Sequence, residues 1–278
     1  MDLRELVAVS VRKLKSHNVV DAEYDAWSLM GFLLNKDPLS LRLQQHEPVN
    51  AQTETEYHKL IERRSNHEPL QYIEKTADFV GTTLMVDPAV LIPRHDTEVL
   101  CEAALNRIQP EFSILDLCTG SGALAIALKK NMPSITVTAS DISEAALEIA
   151  RTNAINNQAE IRFIKSDLFH DIEGCFDMIV SNPPYIPAAG LQKLMPEVKR
   201  EPVLALAGGS DGLDFYRSIC KEAPLFLKKH GIILFEIGCD QKDDVCQILD
   251  CFVGNPFALR DYGGRWRVAG AVLREQMN

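Results

Sequence analysis

The chain has 278 residues, 46% hydrophobic and 24% charged, enough for one large domain and a small one. Its net charge of −10 argues against a protein that grips a phosphate backbone broadly. Residues 1–75 carry 10 Lys and Arg against 12 Asp and Glu, and the remainder carries 19 against 27, so the acidic body suits a basic protein partner better than DNA.

The seven cysteines (101, 118, 175, 220, 239, 246 and 251) include no Cys-x-x-Cys pair, and the histidines show no His-Glu-x-x-His spacing. Neither a metal site nor a disulfide framework is expected, and free thiols fit a reducing cytoplasm. The first residues read as an amphipathic helix rather than a signal peptide, and no apolar run approaches the ~20 residues of a membrane span.

In chain order, Leu3, Leu6, Val7, Val11 and Leu14 recur at helical spacing within residues 2–16. Asp21 opens a second helix, and Pro38 suits the first position of a short third one. Thr53-Glu54-Thr55-Glu56 has the form of a capping box and predicts a helix running to Asn66. Residues 1–74 are thus expected to form a helical domain. Lys75–Val80 and Thr83–Val86, joined by Gly81-Thr82, predict a β-hairpin within a linker spanning 75–96. Thr97 is the expected cap of a helix over 98–108.

From residue 113 strands alternate with helices. Strands are predicted at 113–117, 135–140, 160–165, 176–181, 231–237, 256–260 and 266–273, and helices at 122–130, 143–156, 213–229 and 240–251. This pattern predicts an α/β domain over 97–278 with a parallel, doubly wound sheet. The short Gly263-Gly264 connection makes the last two of its seven strands an antiparallel hairpin.

Two stretches carry chemistry. Asp116-Leu117-Cys118-Thr119-Gly120-Ser121-Gly122 is a strand, a tight glycine turn and a helix start, the place where such sheets bind ligands. Gly120 and Gly122 admit close backbone approach. Asp141 ends the second strand, where a carboxylate can accept from a ribose diol. Asp167 follows the third, where it can accept from an adenine amine beside Leu168. A dinucleotide fingerprint, Gly120-x-Gly122-x-x-Ala125 with an acid downstream, fits the same residues.

The second stretch ends the apolar run Phe176–Val180 at Asn182-Pro183-Pro184-Tyr185. Two prolines stop the strand and leave a rigid corner. Asn182 can accept and donate, the Pro183 carbonyl can accept, and Tyr185 offers a flat face. An ordinary turn would account for Asn-Pro alone. The whole set suits gripping a planar NH2 group by its hydrogens and presenting its nitrogen to an electrophile.

Asn-Pro-Pro-Tyr after an apolar strand resembles the signature of S-adenosylmethionine-dependent methyltransferases acting on amide or exocyclic amine nitrogens. With Val180-Ser181 before it and Ile186-Pro187 after it, the string is similar to that of the release factor glutamine methyltransferases. Ile92-Pro93-Arg94-His95-Asp96-Thr97-Glu98 resembles that family's Ile-Pro-Arg-Pro-x-Thr-Glu block, with His95 in place of the second proline. Glu68-Pro69, Tyr72-Ile73, Glu201-Pro202, Gly208–Asp214 and Glu236-Ile237-Gly238 extend the resemblance along nearly the whole chain.

The resemblance implies a class I, Rossmann-like seven-stranded methyltransferase domain behind a helical substrate-docking domain and a hairpin linker. It implies S-adenosylmethionine as cofactor and class I peptide chain release factors as protein substrate. Asp116, Cys118, Thr119, Gly120, Ser121, Gly122, Asp141, Asp167, Leu168 and Asn182 are then expected at the cofactor. Asn182, Pro183, Pro184 and Tyr185 are expected at the substrate glutamine. Cys118 departs from the family's usual Gly and would be strained at a positive φ; Leu168 stands where some relatives carry Trp. Asp116 counts against a dinucleotide and suits a sulfonium ligand. A monomer without membrane attachment or stable nucleic-acid binding is expected. The rival readings are a nucleic-acid amine methyltransferase, disfavoured by the acidic charge, and an adaptor that has lost its cofactor pocket. Residues 186–206, with three prolines, read as a substrate-facing lid.

Overall fold

The structure, a computed structural model, describes residues 1–250 and 253–273. It divides into two units, one comprising Met1–Thr76 with Met195–Arg200, the other Ala77–Leu194 with the chain from Glu201 onward.

In the smaller unit, Leu3, Leu6, Val7 and Leu14 form the buried face of α1 (Leu3–Ser16). The reciprocal capping box lies here: Glu5 N–H donates to Asp2 Oδ1 at 2.8 Å, and Asp2 N–H donates to Glu5 Oε2 at 3.2 Å. α2 (Ala22–Leu34), α3 (Pro38–Leu43), α4 (Ala51–Ser65) and α5 (Leu70–Glu74) follow. Thr53 is not the cap of α4; Asn50, three residues earlier, accepts from Thr53 N–H at 2.9 Å and takes that position. The helices close over an apolar core that includes Trp27, Met30, Tyr57 and Ile61. Beside it, Arg64 donates through Nε to Asp25 at 2.7 Å and through Nη1 to Glu197 at 3.0 Å, and His67 Nδ1 lies 2.9 Å from the same Glu197 oxygen. Part of the expected lid therefore belongs to the helical unit.

In the larger unit, β1 (Thr76–Phe79) and β2 (Thr82–Met85) form a two-stranded sheet, followed by α6 (His95–Leu105). The main sheet uses β3 (Ser113–Leu117), β4 (Thr136–Asp141), β5 (Arg162–Lys165), β6 (Phe176–Ser181), β7 (Leu227–Glu236), β8 (Val253–Arg260) and β9 (Trp266–Leu273). Its order is β5-β4-β3-β6-β7-β9-β8. β3 to β7 run parallel, and β9 is antiparallel to both β7 and β8. The connecting helices are α7 (Ala123–Asn131), α8 (Glu144–Asn156), α9 (Ala188–Leu191), α10 (Asp214–Phe226) and α11 (Lys242–Asp250). One apolar layer gathers residues of α6, α7 and α8 against the sheet, and a second gathers residues of α10 and α11.

Three expectations shift. The helix predicted to 229 ends at Phe226, because Leu227 already pairs with Phe176, and a register shift follows before Met178 meets Ile232. The strand predicted from 256 begins at Val253. The helix predicted to 251 is seen to Asp250, and Cys251 lies outside the described residues.

The register positions the site. Leu117, the last residue of β3, pairs with Ser140 on one side and Ser181 on the other. The loop from Cys118, the carboxylate of Asp141 and the corner at Asn182 therefore leave the sheet side by side, at the crevice where the strand order reverses.

Candidate functional site

A cavity of about 200 Å³ opens at these strand ends. Asp116, Cys118, Thr119, Gly120 and Ser121 line it from β3, Asp141 from β4, Asp167 and Leu168 from the loop after β5, and Asn182 and Pro184 from the loop after β6. Gly122, Pro183 and Tyr185 do not line it. Gly122, at φ +79°, is required for packing: a Cβ there would sit 3.2 Å from the Ala150 Cβ and 3.3 Å from Ile126. Gly120, at φ +55°, has open space where a Cβ would stand, so it matches the expected close approach of a ligand.

The turn is tied from several sides. Thr119 Oγ1 donates to Asp116 Oδ2 at 2.6 Å, and Thr119 N–H donates to the Ser140 carbonyl at 3.0 Å. Gly120 N–H donates to Asp141 Oδ2 at 2.9 Å, while Ser143 N–H donates to Asp141 Oδ1 at 2.9 Å. Each carboxylate oxygen accepts more than one bond, so Asp141 keeps capacity for a ligand hydroxyl. Asn153, fully buried on α8, was not legible as a site residue. Its Nδ2 donates to the Ser121 and Met85 carbonyls, both at 2.9 Å, and its Oδ1 accepts from Met85 N–H at 2.6 Å. A polar residue on the apolar face of a helix is the signal that could have found it.

Cys118 has φ +61°, the positive value at which a side chain is strained, as the substitution for glycine implied. Burial and the neighbouring Asp141 push its thiol well above the usual range, so it is no reactive thiolate. Leu168 also takes a positive φ, +48°, and Ser166 secures that turn: its hydroxyl donates to the Leu168 carbonyl at 2.8 Å and accepts from Asp171 N–H at 3.0 Å.

The cavity wall is acidic. Asp116, Asp141 and Asp167 face it, and no Lys, Arg or His lines it among the described residues. Burial raises the Asp116 carboxyl to about 7, opposed by the Thr119 hydroxyl and the Ala125 N–H. Burial raises Asp141 as well, against the backbone donors of Ser143 and Gly120. A pyrophosphate would meet only repulsion here, whereas a cation would be drawn in and would favour the ionised carboxylates.

At the corner, Thr97 is not the helix cap that the sequence implied. α6 starts two residues earlier, at His95, so Thr97 sits inside the first turn, buried and lining the cavity. Its Oγ1 accepts from Asn182 Nδ2 at 3.2 Å. No described residue donates to Asn182 Oδ1 or to the Pro183 carbonyl, which leaves two acceptors uncommitted. Tyr185 points its hydroxyl away, donating to Glu236 Oε1 at 3.1 Å.

The glycine-rich run after the lid presses on the back of this corner. A Cβ on Gly208 would lie 2.7 Å from the Tyr185 Cα, and one on Gly212 would lie 2.4 Å from the Tyr185 carbonyl. Gln241 Nε2 donates to both the Tyr185 and Gly212 carbonyls, at 3.0 and 3.2 Å. In front, Glu201 is buried and accepts from Ile92 N–H at 3.1 Å and from Arg94, which fixes the Ile92-Pro93-Arg94 segment ahead of α6.

Residues 5–74 match the PrmC N-terminal domain family, and residues 95–197 match the Methyltransferase small domain family. The chain is 39% identical to the release factor glutamine methyltransferase of Geobacter sulfurreducens over 94% of this chain and 93% of that one. It is 38% identical to the protein of the same name from Moorella thermoacetica, over 99% of this chain and all of that one. In fold it is similar to a methyltransferase from Pyrococcus furiosus, with a TM-score of 0.54 and 20% identity over 69% of this chain and 89% of that one.

Proposed function

The chain belongs to the release factor glutamine methyltransferases, and on that premise we propose that it methylates the side-chain amide nitrogen of the glutamine in the Gly-Gly-Gln loop of class I peptide chain release factors. The observation that carries this reading is the acidic cavity ending on an amide-gripping corner: three carboxylates and, among the described residues, no basic group on the wall, with Asn182 at its edge.

The donor set fits S-adenosylmethionine, which when bound supplies a methyl group on a positively charged sulfur. Asp141 would hold the ribose hydroxyls, Asp167 and Leu168 the adenine, and Asp116 with the turn from Cys118 to Ser121 the charged end. Gly122 sets the packing of α7 behind them.

The corner's own chemistry is binding and orientation. A primary amide is a poor nucleophile, because its lone pair is delocalised into its carbonyl. Asn182 Oδ1 and the Pro183 carbonyl, both uncommitted, would accept the two amide hydrogens. That grip favours pyramidal nitrogen, fixes the approach, and stabilises the positive charge that grows there. Pro184 makes the corner rigid, and Tyr185 supplies the packing surface beside it. No carboxylate or amine lies within Asn182–Tyr185 to take the amide proton, and its loss can follow methyl transfer.

The test is methyl transfer from radiolabelled S-adenosylmethionine to three acceptors: a class I release factor, the same factor with its loop glutamine changed to alanine, and duplex DNA. Label on the intact factor alone is the expected result. Label on DNA, or on the factor lacking the glutamine, would replace this reading with a different acceptor.

A further inference from the structure

One buried ionisable group near the corner has no part in the chemistry above. Glu236 ends β7 and is 1% exposed. Its backbone carbonyl accepts from the Tyr216 hydroxyl at 2.8 Å, which fixes the residue at the strand end. One side-chain oxygen accepts from the Tyr185 hydroxyl at 3.1 Å. Its second oxygen, Oε2, is buried without a hydrogen-bond partner among the described residues. An unsatisfied buried carboxylate oxygen is costly, and an apolar side chain would fill the same space without that cost. The hydroxyl that meets Glu236 belongs to Tyr185, the last residue of the Asn182–Tyr185 corner.

We propose that Glu236 is the positioning residue of the acceptor corner, fixing Tyr185 and, through the rigid Pro183-Pro184 link, the placement of Asn182. This rests on the methyltransferase reading of that corner. With Glu236 ionised, its carboxylate accepts the Tyr185 hydroxyl hydrogen and anchors that end of the corner. The two prolines carry the anchor back to Asn182, whose Oδ1 meets the substrate amide. Protonated Glu236 competes as a donor for the same hydroxyl and loosens this link. The charged groups that act on it are Asp96 on α6, which opposes ionisation, and Arg267 on β9, which favours it. Burial outweighs these and raises the carboxyl to about 7.

The experiment compares wild type, Glu236→Gln and Glu236→Leu for kcat and KM on a release factor, cofactor affinity, and kcat against pH. The expected result for Glu236→Leu is a kcat loss on the order of 100-fold with cofactor affinity essentially unchanged, as for displaced reacting groups. Glu236→Gln keeps one acceptor oxygen, so its kcat lies between wild type and Glu236→Leu. Wild-type kcat rises with pH through about 7, and this rise is absent in Glu236→Gln. Asp116 is also raised to about 7, so a rise that survives in Glu236→Gln belongs to Asp116 and overturns the proposal. Wild-type kcat in Glu236→Leu, or parallel loss of kcat, cofactor affinity and thermal stability in Glu236→Gln, would overturn it too. If Glu236→Leu does not fold, the pH profile of Glu236→Gln decides alone. If wild type itself labels no release factor, the acceptor reading fails and takes this proposal with it; labelling by wild type with unaffected variants sinks the positioning role alone.

Discussion

Asn182 Nδ2 lies 3.2 Å from Thr97 Oγ1, so the corner's amide nitrogen is committed to a helix residue 85 positions earlier and its oxygen meets no donor among the described residues. This contact decides which end of Asn182 meets a substrate. Thr97→Val keeps the side-chain shape and removes the acceptor. We expect kcat to fall between about 10- and 100-fold while cofactor affinity holds, as misorientation of a gripping group implies. Steady-state kinetics with a cofactor titration checks this. Asn182→Ala should lose more, and wild-type rates in that variant would remove the gripping role.

Cys118 supplies a stability prediction. At φ +61° its Cβ is crowded, and glycine relieves that crowding while enlarging the freedom of the unfolded chain. These effects oppose each other, and Cys118→Gly is expected to stabilise by roughly 1 kcal/mol or less. Urea denaturation of the two proteins is the measurement. A second readout is alkylation at pH 8: Cys175 and Cys239 are exposed and should react well before Cys118, whose thiol burial holds protonated.

The pH behaviour follows from Asp116. Its carboxyl is raised from 3.8 to about 7 by burial. Between those values the unfolded chain ionises and the folded protein does not, so Asp116 contributes stability at low pH that is lost as pH rises toward 7. Asp116→Asn should therefore gain melting temperature relative to wild type at pH 8 compared with pH 5. Binding of a cationic ligand runs the other way: it favours the ionised form, so affinity for S-adenosylmethionine should strengthen from pH 6 to pH 8 and flatten in Asp116→Asn. Calorimetric titration at the two pH values separates the effects.

Gly208 is the steric test of the corner. A methyl group there would stand 2.7 Å from the Tyr185 Cα and 2.8 Å from the Pro184 carbonyl, both backbone atoms. Gly208→Ala is expected to destabilise by about 1–3 kcal/mol, the usual cost of overpacking. It should also lower kcat by moving the corner. Thermal melts and methyl-transfer rates on the same preparation check both.

What the sequence made legible was whatever repeats locally. The strand and helix periods placed β3 to β6 within a residue or two, and Asp141 stood out because it closes the strand that follows the glycine turn. The corner was legible because Pro183 and Pro184 act on their own backbone. What escaped were links between distant segments. Thr97 looks like a helix cap in one dimension and becomes an Asn182 acceptor only when the first turn of α6 meets the loop after β6. Asn153 joins the glycine loop to β2 across 32 and 68 positions. Gly122 reads as a ligand contact, and the crowding that an added Cβ would meet at Ala150 was not legible. Glu236 is visible in a recognised block, yet its hydroxyl partner comes from Tyr185 in the loop after β6.

The ion network of the helical unit bears on how the chain is made. Asp25 and Arg64 leave the ribosome early, and their pair can form while most of the α/β unit is unsynthesised. Glu197, which binds Arg64 and His67, emerges only after 130 further residues have followed His67. During that interval the nascent helical unit holds a guanidinium with one of its two carboxylate partners. The first unit to emerge is thus among the last to be finished, and a stall anywhere between residues 76 and 195 leaves it without its closing segment.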